Sequence, residues 1–214
     1  LNQDFQNRSR TEIITSEISQ TIRNLNFSVK NLKKWMKPQR RSSSFMADAL
    51  GARSYMLPSP LGSVGVIAPW NFPVGMVFYP AASIFAAGNR IIAKPSEFTP
   101  NTANIIKSAV EKYFDKSEFA VVIGGPDIGE QFSSLPFDHL LYTGSGRVGK
   151  KVLSKTAENL VPTTMELGGK SPTIISDYVN LKQAAERIMF VKTLNSGQIC
   201  LSPCLLYTSP SPRD

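Results

Sequence analysis

The sequence predicts an α/β fold, a doubly wound parallel sheet with helices on both faces, preceded by a helical N-terminus. Three observations lead to it. Short, nearly continuous apolar runs recur between residues 60 and 165, namely GSVGVIAP, RIIAKP, FAVVIGG and FDHLLYTG. Runs of that kind are the signature of strands buried on both faces. Stretches with helical apolar spacing fall between them, so strand and helix alternate, with Gly and Pro at the changeovers.

Each element has a local reason. Over residues 1 to about 36, Ile13, Ile14, Ile18, Ile22, Leu25, Val29 and Leu32 recur at helical spacing, and Pro38 stops the run. A loop rich in Arg and Ser follows. SYMLPSPLGS then reads as an extended segment and a Pro/Gly turn, leading into a strand at Val64–Ala68. Pro80 to Gly88 is predicted as a small-residue helix ended by Gly88. Arg90–Lys94 is the second strand, terminated by Pro95. Thr99 is placed to cap the next helix, with Pro100 at its first position. FAVVIGG is the third strand, DIGEQFSS a short helix and FDHLLYTGS the fourth strand. GRVGKKVLSKTAEN is a helix and TTMELGG an extended segment.

Composition narrows the functional classes. The chain has 214 residues and a formal net charge of +8, much of it in VKNLKKWMKPQRR. Lys30, Lys33, Lys34, Lys37, Arg40 and Arg41 there fit either a patch for an anionic partner or a solvated helix end and loop. The second is preferred, because no DNA- or RNA-binding motif accompanies the charge, and no nucleic-acid partner is expected. No apolar run reaches the roughly 18–20 residues of a membrane span. The polar first residues lack a signal-peptide core. Two cysteines, Cys200 and Cys204, imply no disulfide framework, and reduced thiols point to a cytoplasmic location. With a single histidine, His139, they make a poor ligand set for zinc, and no metal site is expected.

Five short segments carry candidate chemistry. GSGRVG, Gly144 to Gly149, matches G-x-G-x-x-G between a strand and a helix, where backbone amides can face a pyrophosphate. It follows the fourth strand rather than the first, and no clear ribose-binding carboxylate lies some 20 residues on, so a plain glycine turn stays open. In AKPSE, Lys94 and Glu97 stand at a strand end as ribose-binding candidates or as surface charges. In PWNFP, two prolines clamp Asn71, whose amide is a candidate oxyanion donor or a turn cap. In ELGGK, Glu166 beside Gly168 and Gly169 is a candidate general base if partly buried, or an exposed edge carboxylate. In NSGQIC, Cys200 is a candidate nucleophile. His139 sits mid-strand, so Cys–His hydrolysis is disfavoured and a carboxylate base is the remaining option.

Taken in order, PWNFP, KPSE, TGSGRVG, ELGGKSP and NSGQIC resemble the aldehyde dehydrogenase superfamily, with Glu166 preceding Cys200 by 34 residues. SPLGSVGVIAPWNFP, TGSGRVGKKV and GQICLSP look most like its coniferyl-aldehyde branch. The resemblance implies NAD or NADP as cofactor and a small-molecule aldehyde as substrate. It implies Cys200 as nucleophile, Asn71 with the Cys200 backbone N–H as oxyanion donors, and Glu166 as the base that activates water. Glu166 also favours release of a carboxylic acid over acyl transfer to coenzyme A. Lys94 and Glu97 would hold the adenosine ribose, Gly144 and Ser145 would face the pyrophosphate, and Pro69, Trp70 and Leu167 would line the cofactor site.

The resemblance divides the chain into a helical and extended N-terminal region (1–59), a dinucleotide-binding domain (60–165) and the first part of an α/β catalytic domain (166–203). After LSP the resemblance ends, and CLLYTSPSPRD reads as an unstructured, non-family tail over 204–214. Family members are roughly twice as long, so an N-terminal fragment is expected. Its full-length form would be a homodimer or homotetramer.

Overall fold

The N-terminal region is helical, but not as one helix. The computed structural model describes residues 1–208. It divides this region into α1 (Asn2–Phe5), α2 (Arg10–Ile13), a π-helical turn (Ile14–Ile18) and α3 (Ser19–Trp35). The face that α3 and the π-turn bury is polar. Glu17, Thr21 and Ser28 are buried, whereas Ile14, Ile18, Ile22, Leu25 and Val29 of the apolar stripe are exposed. Hydrogen bonding selects that face, because Glu17 accepts from two backbone amides of the sheet domain and Ser16 O accepts from the Tyr79 hydroxyl. The Arg/Ser loop contains a small antiparallel pair, β1 (Gln39–Arg41) with β2 (Ser54–Met56), around α4 (Phe45–Ala49).

The apolar runs form β3 (Ser63–Ile67), β4 (Arg90–Lys94), β5 (Phe119–Val121), β6 (His139–Gly144) and β7 (Thr163–Leu167). They make one parallel sheet in the order β5-β4-β3-β6-β7. Between them run α5 (Gly75–Ala86), α6 (Pro100–Tyr113), α7 (Pro126–Ser133) and α8 (Gly146–Ala157). Alternate strand residues feed two cores. Val64, Val66, Ile91, Ala93 and Phe119 pack with Val77 and Ala81 of α5 and Ile106 and Val110 of α6. Leu140 and Tyr142 pack with Phe132 of α7 and Val152 of α8 on the opposite face. The doubly wound sheet is therefore as the sequence predicts.

Two local expectations are corrected. The helix predicted from Pro80 begins at Gly75 and carries Pro80 in its interior. It can start early because Glu17 Oε2 accepts from Val74 N (2.8 Å) and Gly75 N (3.0 Å), amides that no intrahelical carbonyl serves. Thr99 is the N-cap residue of α6, but its side chain makes no capping bond. Asp4 of α1 does that work, accepting from Asn101 N (3.1 Å) and Thr102 N (2.8 Å), and from both side chains. Burial pushes the Asp4 carboxyl up, yet these bonds outweigh it and hold its pKa below the ordinary value.

Beyond the sheet lie β8 (Pro172–Ile175), α9 (Leu181–Thr193), a 3₁₀ turn (Leu194–Gly197) and β9 (Leu205–Thr208). Part of the expected unstructured tail is thus corrected. Leu205–Thr208 pair in parallel with Pro172–Ile175, and Cys204 N and Leu205 N donate to Ser171 O. Leu, Tyr and Thr suit an extended strand, and the Ser/Pro-rich composition begins only at Ser209. The remainder of the tail, 209–214, lies outside the described residues.

Candidate active site

Strand register brings most of the candidate residues to one edge. Ile67 on β3 is level with Lys94 on β4 and with Tyr142 on β6, and Tyr142 is level with Met165 on β7. Pro69, Glu97, Gly144, Ser145 and Leu167 therefore all lie at or just past the carboxyl ends of adjacent parallel strands. The chain leaves β3 for β4 on one side and returns to β6 on the other. That reversal opens a crevice between the ends of β3 and β6, the usual ligand position in such sheets. The glycine motif after the fourth strand is consequently next to the first strand in space.

Lys94 is not a surface charge. Its side chain is 4% exposed, and Nζ lies 3.1 Å from Glu97 Oε2. Its stem lies against α7, where a Cβ on Gly129 would sit 3.4 Å from Lys94 Cε. Ser145 caps α8, its hydroxyl accepting from Val148 N at 3.4 Å. Tyr142 donates to Ser145 O at 3.0 Å and so braces the same turn. Desolvation, with a lesser contribution from the Glu97 charge, raises the Tyr142 pKa, keeping it a donor. A Cβ on Gly144 would strike the Tyr142 hydroxyl, whereas one on Gly146 would meet nothing within 4 Å. The outer glycine is thus needed for packing, and the middle one leaves open space at the helix start.

A buried ammonium, a carboxylate that can accept from hydroxyls, and an open helix N-terminus suit a ribose joined to a pyrophosphate. This donor set fits a dinucleotide. Trp70, just past the end of β3, is 39% exposed, and Leu167, at the end of β7, is 44% exposed.

The second group of candidates is tied together by side-chain amides. Asn71 Nδ2 donates to Gln198 O at 2.8 Å, two residues before Cys200. Asn195 Nδ2 donates back to Asn71 O at 2.9 Å. The turn after β3 and the loop bearing Cys200 are thereby cross-linked in both directions. Ser171 Oγ donates to Cys200 O at 3.5 Å, fixing the far side of the loop. Cys200 and Cys204 are both free and exposed.

Glu166 stands apart from this cluster. It is level with Thr143 on the edge strand β7, is exposed, and bonds to neither loop among the described residues. The partial burial that would raise a general base's pKa is therefore absent, because among the described residues nothing covers Glu166 on the edge strand. The motifs did not single out Asn195, Gln198, Glu12 or Glu17, all of which hold the loops. For Asn195 the only available signal was its place in NSGQIC.

The aldehyde dehydrogenase family model matches residues 6–212. The chain belongs to the aldehyde dehydrogenase family. The match runs past Pro203, where the sequence motifs had ended the resemblance. The chain is 48% identical over 204 residues to a probable coniferyl aldehyde dehydrogenase of Caulobacter vibrioides, covering 95% of this chain and 42% of that enzyme. The chain thus spans less than half the length of the curated relative it matches. Among solved structures, the substrate-bound state of Staphylococcus aureus AldH superposes with a TM-score of 0.87 at 40% identity, covering 93% of this chain and 43% of that one. The Mycobacterium tuberculosis aldehyde dehydrogenase complexed with NAD+ gives a TM-score of 0.80 at 32% identity, covering 92% and 40% respectively. Among the described residues, no helix is long and apolar enough to cross a membrane.

Proposed function

We propose that this chain carries the dinucleotide site and nucleophile loop of an NAD(P)-dependent aldehyde dehydrogenase that oxidises an aromatic aldehyde of the coniferyl type to its acid. The hydrogen bond from Asn71 Nδ2 to Gln198 O supports it most directly, since it holds a side-chain amide donor beside the loop of an exposed thiol.

In this reading the Cys200 sulfur adds to the aldehyde carbon, and the carbonyl π pair moves to oxygen. The Asn71 amide and the Cys200 N–H stabilise that oxyanion, a role in which one donor is worth about 10²–10³ in rate. A nicotinamide cofactor, when bound, would supply the hydride acceptor, and Lys94, Glu97, Gly144 and Ser145, flanked by Pro69, Trp70 and Leu167, would hold it. Loss of hydride leaves a thioester on Cys200. Glu166 takes a proton from water, the hydroxide attacks the thioester carbonyl, the C–S bond breaks to release the carboxylic acid, and the Glu166 proton returns to the leaving sulfur to restore the thiol.

Aldehyde-dependent formation of reduced cofactor, followed at 340 nm in a chain containing this sequence, tests the assignment. Cys200→Ser is expected to abolish it, and Asn71→Ala to slow it by about 10²-fold. Oxidation retained by Cys200→Ser overturns the thiol assignment. A second reading, nucleotide binding without turnover, is favoured by one observation. The dinucleotide end is packed around buried Lys94, whereas Glu166 and Cys200 are exposed. Quenching of Trp70 fluorescence by cofactor without oxidation would select it.

A further inference from the structure

The loop carrying Cys200 is held in a costly backbone conformation. Asn195 (φ 48°) and Ser196 (φ 56°) are both left-handed, and Gly197 (φ 76°) follows. Residues with a Cβ avoid that region unless their surroundings enforce it. Asn195 is 5% exposed, and hydrogen bonds to two other parts of the chain enforce its position. Its side chain donates to Asn71 O, and its backbone N–H donates to Glu12 Oε1, 183 positions away in the chain. Glu12 lies in α2, and the π-helical turn at Ile14–Ile18 continues the same helical segment. That turn carries Glu17, which holds the amides just after the Asn71 turn. One helical segment therefore grips both loops of the candidate site.

We infer that Glu12 is a positioning residue. Its carboxylate fixes Asn195, and through the Asn195–Asn71–Gln198 bonds it sets the Asn71 amide relative to the Cys200 backbone. The inference rests on the aldehyde-capturing role proposed above. Glu12 touches no reacting atom. Its effect should appear where a carbonyl-derived oxygen accepts from the Asn71 amide and the Cys200 N–H, and be absent where no such oxygen forms.

The test uses the 214-residue chain with Cys204→Ser, so that Cys200 is the single thiol. 3-Phenylpropanal, whose only electrophilic carbon is the carbonyl, reversibly captures that thiol. An S–C bond forms, the carbonyl π pair moves to oxygen, and the thiol proton ends on that oxygen. The aldehyde's dissociation constant is read from protection against iodoacetamide, whose own alkylation develops no oxyanion. Loss of one enforcing hydrogen bond in Glu12→Ala should weaken aldehyde capture about tenfold, and speed amide exchange across residues 194–200 by a similar factor. The iodoacetamide rate without aldehyde should stay within about twofold, well under that effect. Glu12→Gln keeps an oxygen acceptor of equal reach and should match the parent. Glu12→Asp is one methylene short and should behave as Glu12→Ala, so it serves if the alanine variant fails to fold by circular dichroism. Unchanged aldehyde capture and exchange in the folded short variant overturn the positioning role. Asn71→Ala separates the two ideas. If it leaves capture intact, the oxyanion reading fails; if it weakens capture and the Glu12 variants do not, the positioning role alone fails.

Discussion

Replacing Glu17 by alanine should destabilise the chain more than any change at an exposed charge. Glu17 is fully buried, and its Oε1 lies 2.6 Å from Arg8 Nη1, whose side chain is 3% exposed. Arg8 is sandwiched between the rings of Phe5 and Phe72, at 5.0 and 5.1 Å from their centroids. Its Nε and Nη2 have no partner among the described residues, so Glu17 is the one carboxylate bonded to it. Removing one member of a buried pair costs about 3–5 kcal/mol, because the other charge stays behind unpaired. The same substitution strips Val74 N and Gly75 N of their acceptor. Against a typical total of about 5–15 kcal/mol, Glu17→Ala should forfeit a third or more of the stability. Urea denaturation at pH 7, followed by far-ultraviolet circular dichroism, measures it. Arg8→Ala should also be costly. The double variant should be destabilised by at least about 1 kcal/mol less than the two singles combined, since it leaves no orphan charge. Single variants that each lose under about 1 kcal/mol, or strict additivity in the double, would refute the reasoning.

Two further outcomes follow from the same packing. Desolvation, then the Glu17 charge, raise the Tyr79 pKa to about 12, with Arg8 opposing. The folded state therefore holds that proton more tightly, and the associated stability is complete below pH 10 and lost as pH rises through about 12. Urea midpoints between pH 9 and 11 should fall less steeply in Tyr79→Phe than in the parent, and equal slopes would contradict the assignment. A Cβ on Gly65 would lie 2.7 Å from the Phe137 ring, so Gly65→Ala should cost about 1–3 kcal/mol by overpacking. A melting temperature equal to the parent's would show that Phe137 yields freely.

The sequence by itself determined the sheet. Continuous apolar runs such as Val64–Ala68 and Arg90–Lys94 are local signals, readable because a strand covered on both faces has no polar side to present. The five motifs were local too, and their order carried the family. Tertiary structure alone decided how those pieces work together. Lys94 looked like a surface charge because nothing in its neighbours reveals α7 lying over its stem. Whether Glu166 was partly covered or an exposed edge carboxylate stayed open, and its place on an edge strand leaves it exposed. The start of α5, the cap of α6 and the grip on the Cys200 loop all depend on Glu17, Asp4 and Glu12. Each of these carboxylates acts on amides far away in the chain, and such bonds leave no periodic trace in sequence. Glu17 sets which face of its helical segment is buried, because its carboxylate must reach Val74 N and Gly75 N, amides that no intrahelical carbonyl serves.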